Sequence, residues 1–123
     1  MKTMVMGASP KPYRYSHRVT LLLQEQGYPV IPIGVSKGII GNQEIVDLTT
    51  KPTFQELHTI TMYLSKENQQ LWVQYILELK PQRVIFNPGS ENPELCQQLV
   101  QAGISCEESC TLVMLSIGNF EPF

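Results

Sequence analysis

The sequence has no apolar run approaching the roughly 20 residues of a bilayer-spanning helix; stretches such as Thr111–Leu115 end far short of it. No membrane association is therefore expected. Cysteine is scarce: three residues, an odd count, with no CxxC and no Cys/His pairing at zinc spacing. That argues against a disulfide framework and against a structural zinc, and predicts reduced thiols in a cytoplasmic protein. The opening MKTMVMGASP lacks the extended apolar stretch of a signal peptide. Charged residues are only 16% of the chain and the net charge is −2, so the broad basic face that nucleic acid requires is missing. Repeats, linkers and low-complexity segments are absent as well. What is present is an ordinary globular composition: 42% hydrophobic in 123 residues and 13.9 kDa, read as a single domain over residues 1–123. A chain of this size buries about two thirds of its unfolded surface without a staple.

Acids are also missing from one part of the chain. Residues 1–43 carry Lys2, Lys11, Arg14, Arg18 and Lys37 against Glu25 alone, and the remainder is correspondingly acidic. A small anionic ligand fits the N-terminal third.

Hydrophobic patterning alternates between the two periods. Lys2–Met6 reads as a buried first strand ending at Gly7. Pro10 and Pro12 bar a helix from the loop Gly7–Tyr15. Ser16 is the expected N-cap of a helix bearing Val19, Leu22 and Leu23 and closed by Gly27. Tyr28–Ile33 is the second strand, which completes one βαβ unit. Gly34–Thr53 reads as loops around a short strand near Glu44–Asp47, and His58–Leu64 as a central strand. Ser65 is expected to cap one long helix through Leu79, with Leu71, Trp72, Tyr75, Ile76 and Leu79 as its buried stripe. Arg83–Asn87 is the next strand. Asn92-Pro93 opens a helix that turns Leu95, Cys96, Leu99 and Val100 inward and stops at Gly103. Ile104–Glu107 is a last strand, and Ser109–Leu115 a closing helical turn. The fold class is α/β: a Rossmann-like three-layer sandwich with a mostly parallel sheet of about five or six strands.

In such a sheet ligands bind beyond the carboxyl ends of the strands, here the loops after Met6, Ile33, Leu64 and Asn87. The first, GASPKPYRYSHR, opens with Gly7 and closes at a helix N-terminus, whose free N–H groups and positive dipole end suit a phosphate. Lys11, Arg14, His17 and Arg18 surround it, although the GxGxxG fingerprint is absent. A Cβ at Gly7 is expected to block the ligand while leaving the sheet mostly intact. The second strand ends Ile33-Gly-Val-Ser-Lys37, with no carboxylate where an NAD site places one. Lys37 and Ser36 suit instead a ribose bearing an extra phosphate, as in NADP or coenzyme A. Neither His17 nor His58 can be built into a Ser/His/Asp arrangement, so no catalytic or metal-binding residue is assigned. Cys96 and Cys106 read as core packing.

GASPKPYRYSHR, GYPVIPIG, RVIFNPGSENPEL and the late Cys110 together resemble the small CoA-binding family of Rossmann-like proteins, akin to the nucleotide domain of the succinyl-CoA synthetase α subunit. The resemblance covers essentially the whole chain and implies a module that binds coenzyme A or an acyl-CoA. It implies that Gly7, Ala8, Ser9, Arg14, Tyr15 and Ser16 hold the diphosphate, and that Gly34, Ser36 and Lys37 hold the adenosine ribose and its phosphate. Between the second and fourth strands this chain is shorter than longer members. After the later strand, Gly89 permits a turn with positive φ, and Asn87 or Glu91 is placed to meet the pantetheine amide or a second ligand. Cys110 reads either as a small buried hydrophobe or as a thiol near the reactive end of the ligand. Two other readings compete: an NADP-binding reductase-like protein, and a regulatory module with a vestigial site. A homodimer or another protein is the expected macromolecular partner.

Overall fold

The computed structural model describes residues 1–121. Its strands are β1 (Lys2–Met6), β2 (Val30–Gly34), β3 (Ile39–Ile40), β4 (Gln43–Glu44), β5 (Val46–Asp47), β6 (Leu57–Met62), β7 (Arg83–Phe86) and β8 (Ser105–Glu108). The helices are α1 (Tyr15–Glu25), α2 (Lys66–Gln69), α3 (Val73–Leu79), α4 (Pro93–Gln101) and α5 (Thr111–Ile117). Six strands form one sheet in the order β5-β2-β1-β6-β7-β8, and every pairing is parallel. The chain winds outward from β1 through β2 to β5, then returns to the other side of β1 and winds out through β6, β7 and β8. The strand order therefore reverses between β1 and β6, which is where such sheets hold ligands. A small antiparallel pair, β3 with β4, lies apart from the main sheet.

Strand alternation sorts the core into two layers. Met4, Met6, Ile60, Met62, Val84 and Phe86 pack with Tyr75, Ile76, Leu79, Leu95 and Leu99 of α3 and α4. Val5 and Ile85 point the other way and pack with Val19 and Leu23 of α1 and Leu115 of α5. On β6 the threonines Thr59 and Thr61, both buried, take the intervening positions.

Several boundaries differ from the sequence-based expectations, each for a local reason. Helix α1 starts two residues earlier, so Arg14 is its N-cap and no side chain caps it. Ser16 sits inside the first turn, where its carbonyl accepts the Thr20 hydroxyl at 2.8 Å. The C-terminal prediction is met in full: Gly27 has φ +83°, with Tyr28 N–H reaching the Leu23 carbonyl and Gly27 N–H that of Gln24. The expected long helix from Ser65 to Leu79 is two helices joined by a 3₁₀ turn at Gln70–Trp72. At the joint the Gln69 amide turns fully inward and donates to the Leu64 and Ser90 carbonyls, both at 2.8 Å. The shift of phase leaves Leu71 exposed, contrary to the stripe assigned to it, and Val100 on α4 is exposed too. The last element is a full helix, α5, ended by Gly118 at φ +78°.

The cysteine expectation needs correction. Cys96 and Cys106 are bonded as a disulfide, Cα to Cα 5.8 Å, and Cys110 alone is free. The turn at Gly103 folds α4 back along β8 and brings together two residues that an odd count and the missing CxxC had set apart.

Candidate functional site

The first loop is fixed to the end of β2 by backbone alone. Gly7 and Ala8 both donate their N–H to the Ile33 carbonyl, at 2.9 and 3.0 Å. Gly7 has φ +97°, and a Cβ there would lie 3.0 Å from the Leu64 nitrogen. A Cβ on Gly34 would lie 2.5 Å from the Ala8 carbonyl oxygen, and one on Gly38 would lie 2.4 Å from Pro10 Cβ. Glycine at these positions lets the loops after β1, β2 and β6 close on one another. His17 completes the support: buried, it places Nδ1 3.0 Å from the Ser9 carbonyl.

Above this frame lies a crevice of about 480 Å³. Its walls come from Gly7–Lys11 and Arg14–Ser16 on one side and Val35 and Ser36 on another. Tyr63, Leu64, Asn68 and Pro88 close the third. No acid is among them, and α1 points its N-terminus in with no capping side chain and no acid in its first turn. The N–H groups and dipole of that turn, with Lys11 and Arg14, make the crevice electropositive. Lys11, Arg14 and Arg18 are exposed, and the two arginines rest on aromatic rings: Arg14 lies 5.7 Å from the Tyr13 centroid and Arg18 5.1 Å from that of Tyr15.

A second chamber of about 330 Å³ adjoins the crevice and shares Tyr15, Tyr63 and Pro88 with it. Asn87, Cys110, Leu112, Val113 and Arg18 supply the rest of its lining. A buried polar network stands behind it. Asn87 Nδ2 donates to Thr61 Oγ1 at 2.7 Å and to the Met62 carbonyl at 3.0 Å, while Oδ1 accepts the Thr111 N–H at 2.8 Å. Thr61 and Thr111 share a hydroxyl hydrogen bond of 2.8 Å. Burial pushes the Tyr63 phenol well above its usual range, and hydrogen bonds to Thr61 and Thr111 only partly offset this. Tyr63 is therefore a neutral hydrogen-bonding group at working pH.

Of the residues singled out in the sequence, Gly7, Ala8, Ser9, Arg14, Tyr15, Ser16 and Ser36 come together around the crevice. Gly34 lies behind the first loop, outside the lining. Lys37 is exposed beyond Ser36, and its charge helps hold the Asp47 carboxyl low, after the hydrogen bonds from Thr49. Asn87 belongs to the second chamber, with its amide spent on internal partners. Gly89, at φ +95°, lies in an exposed turn outside both cavities and donates its N–H to Glu91 at 2.9 Å. Val35, Tyr63, Leu64, Asn68 and Pro88 were not singled out. Their signal was available: each follows closely on the carboxyl end of a strand or opens the helix after it.

Among the described residues no cluster of His, Cys, Asp or Glu is placed to hold a metal ion. No helix there is long and apolar enough to cross a membrane.

Sheet order, handover of strands at β1/β6 and a crevice over a helix N-terminus define a Rossmann-like α/β protein. The chain belongs to the CoA-binding domain family, which matches residues 1–116. A crystal structure of an uncharacterized protein shares 42% identity over 97% of both chains, with a TM-score of 0.92. A Thermus thermophilus protein at 24% identity (97% of this chain, 90% of that one, TM-score 0.78) has the same fold. So does a hypothetical protein from Pyrococcus horikoshii at 19% identity (94% and 81%, TM-score 0.78). No curated protein matches the chain significantly.

Proposed function

We propose that this chain is a ligand-binding module for coenzyme A, free or acylated, held across the crevice at the carboxyl ends of β2, β1 and β6. The supporting observation is the acid-free crevice over the uncapped start of α1, in a chain of the CoA-binding domain family. The residues fit the ligand. Glycines at 7 and 34 keep backbone where a Cβ would collide, so the first loop lies low and leaves room for the diphosphate above it. Backbone N–H groups of the α1 start, with Ser9, Arg14, Tyr15 and Ser16, hold that diphosphate. Ser36 and Lys37 face the adenosine ribose and its 3′-phosphate on the β2 side. Tyr63, Leu64, Asn68 and Pro88 guide the pantetheine arm toward Asn87. Gly34 and Gly89 shape the loops.

Titration of the purified protein with CoA, dephospho-CoA, NADP and NAD tests the reading. CoA is expected to bind most tightly, dephospho-CoA more weakly in a salt-dependent way, and the nicotinamide cofactors least. Tighter binding of NADP, or no binding of CoA, overturns it.

A further inference from the structure

The second chamber has no part in holding the nucleotide, yet it opens from the crevice through walls they share, formed by Tyr15, Tyr63 and Pro88. It lies on the β7 and α5 side, away from Ser36 and Lys37 on the β2 side. A CoA whose adenosine lies over β2 reaches this chamber only with its sulfur end. The inner wall makes no polar demand on a guest. The Asn87 amide and the Thr111 hydroxyl are consumed by internal partners, and the Tyr63 phenol is tied to the same threonines. What remains is Pro88, Leu112, Val113, the weakly polar free thiol of Cys110 and the two tyrosine rings, with the exposed Arg18 guanidinium lying on the Tyr15 ring. Water in such a space gains few partners, and an apolar group that displaces it is favoured.

The geometry points to a short aliphatic acyl group in this chamber, so that the preferred ligand is a short-chain acyl-CoA thioester and not free CoA. The volume of about 330 Å³ lies at the small end of the range for ligand pockets, which sets the acyl chain short. This inference rests on the CoA reading above and adds the identity of the cargo.

Titration of the intact protein with CoA, acetyl-CoA, butyryl-CoA and succinyl-CoA tests it. A buried methylene contributes about fourfold in affinity, ~0.8 kcal/mol, so butyryl-CoA is expected to bind at least about fivefold tighter than CoA. Cys110→Phe fills the chamber from the start of α5 and should abolish that advantage while keeping CoA affinity within about twofold. Val113→Phe, on the exposed rim, is the second variant if the first fails to fold, with the same expectation. Equal or weaker binding of butyryl-CoA, beside normal CoA binding, overturns the acyl assignment and leaves the CoA reading standing. A preference for succinyl-CoA overturns it too, because Arg18 would then be reading a carboxylate. A butyryl advantage that survives a folded, filled variant places the acyl group elsewhere. Failure of every thioester and of CoA itself removes the CoA reading.

Discussion

Arg14 is both the N-cap residue of α1 and a cation at the mouth of the crevice, and these two roles separate experimentally. Its side chain makes no capping hydrogen bond, so shortening it should cost the helix little. Arg14→Ala is expected to weaken CoA binding by about 1.5 kcal/mol, the lower range for a charge-assisted hydrogen bond because the group is exposed. The melting temperature should hardly move; unchanged affinity by calorimetric titration would remove Arg14 from the site. Gly7 behaves in the opposite way. The sequence suggested that a Cβ here would block ligand and spare the sheet, but the Cβ would meet the backbone of Tyr63 and Leu64, at a φ of +97°. Gly7→Ala should therefore destabilise the fold itself by about 2–3 kcal/mol as well as impair binding. A lowered urea midpoint with unchanged slope is the expected signature. A variant as stable as the parent would show that the loop can shift away from β6.

At the scale of elements, side-chain amides decide where helices begin and break. Asn92 Oδ1 accepts the Leu95 N–H at 3.2 Å and so caps α4, as the Asn-Pro pair announced in the sequence. Its Nδ2 also donates to Gln69 Oε1 at 2.8 Å, a contact between distant segments that no local pattern encodes. Gln69 in turn bridges the Leu64 and Ser90 carbonyls, and an exposed ion pair between Lys66 and Glu94 links α2 to α4 outside it. Asn92→Ala removes a cap worth about 1 kcal/mol and strands a buried amide oxygen at a further 1–3 kcal/mol. A total loss of about 2–4 kcal/mol in chemical denaturation is expected, against a far smaller one for Lys66→Ala at the solvent-screened pair. If the two variants cost the same, the amide network contributes no more than a surface contact. The same network explains which helices were legible. Short periodic runs with a local start and stop signal, α1 and α4, came out within two residues of their bounds. The stretch from Ser65 to Leu79 carried an unbroken helical period, but Gln69 is drawn inward by partners more than 20 residues away at Ser90 and Asn92. That reset the phase and exposed Leu71. The Cys96–Cys106 bond was hidden for the same reason, since only the packing of α4 on β8 brings the two together.

For the molecule as a whole, alternation of strand and helix gave the class, and the carboxyl-end rule gave the loops of the crevice. Tyr63 and Pro88 also follow strand ends, but that their loops face the first loop waited on strand order, because pairing between β1 and β6 leaves no mark in either strand. The end of the sheet opposite the crevice is a separate, structural site with its own pH signature. Arg83, buried there, donates to Thr59 Oγ1 and to the Phe120 carbonyl, both at 3.1 Å, and lies 3.7 Å from Glu107 and 4.8 Å from the Phe120 ring centroid. His58 lies at the same end of β6, buried, with Nδ1 2.8 Å from Thr59 Oγ1. Burial holds the His58 pKa below its ordinary value, and the charges of Arg83 and the N-terminal ammonium push it the same way. The unfolded chain therefore binds a proton at about pH 6.5 that the folded chain resists until lower pH. His58 favours the fold fully above that pH, and its contribution is lost as the pH falls from there through the folded-state value. Asp47, held low chiefly by Thr49, and Glu94, held low chiefly by Lys66, act in a lower window. Their contribution is present above about pH 4–4.5 and disappears only on further acidification. Stability measured by urea unfolding should thus fall in two stages on acidification. His58→Gln, which cannot take up the proton, is expected to flatten the stage that sets in as the pH falls below about 6.5 and to leave the lower one in place. A parent protein with no slope in the upper window, or a His58→Gln variant with the parent's slope, would show that another group carries the upper stage.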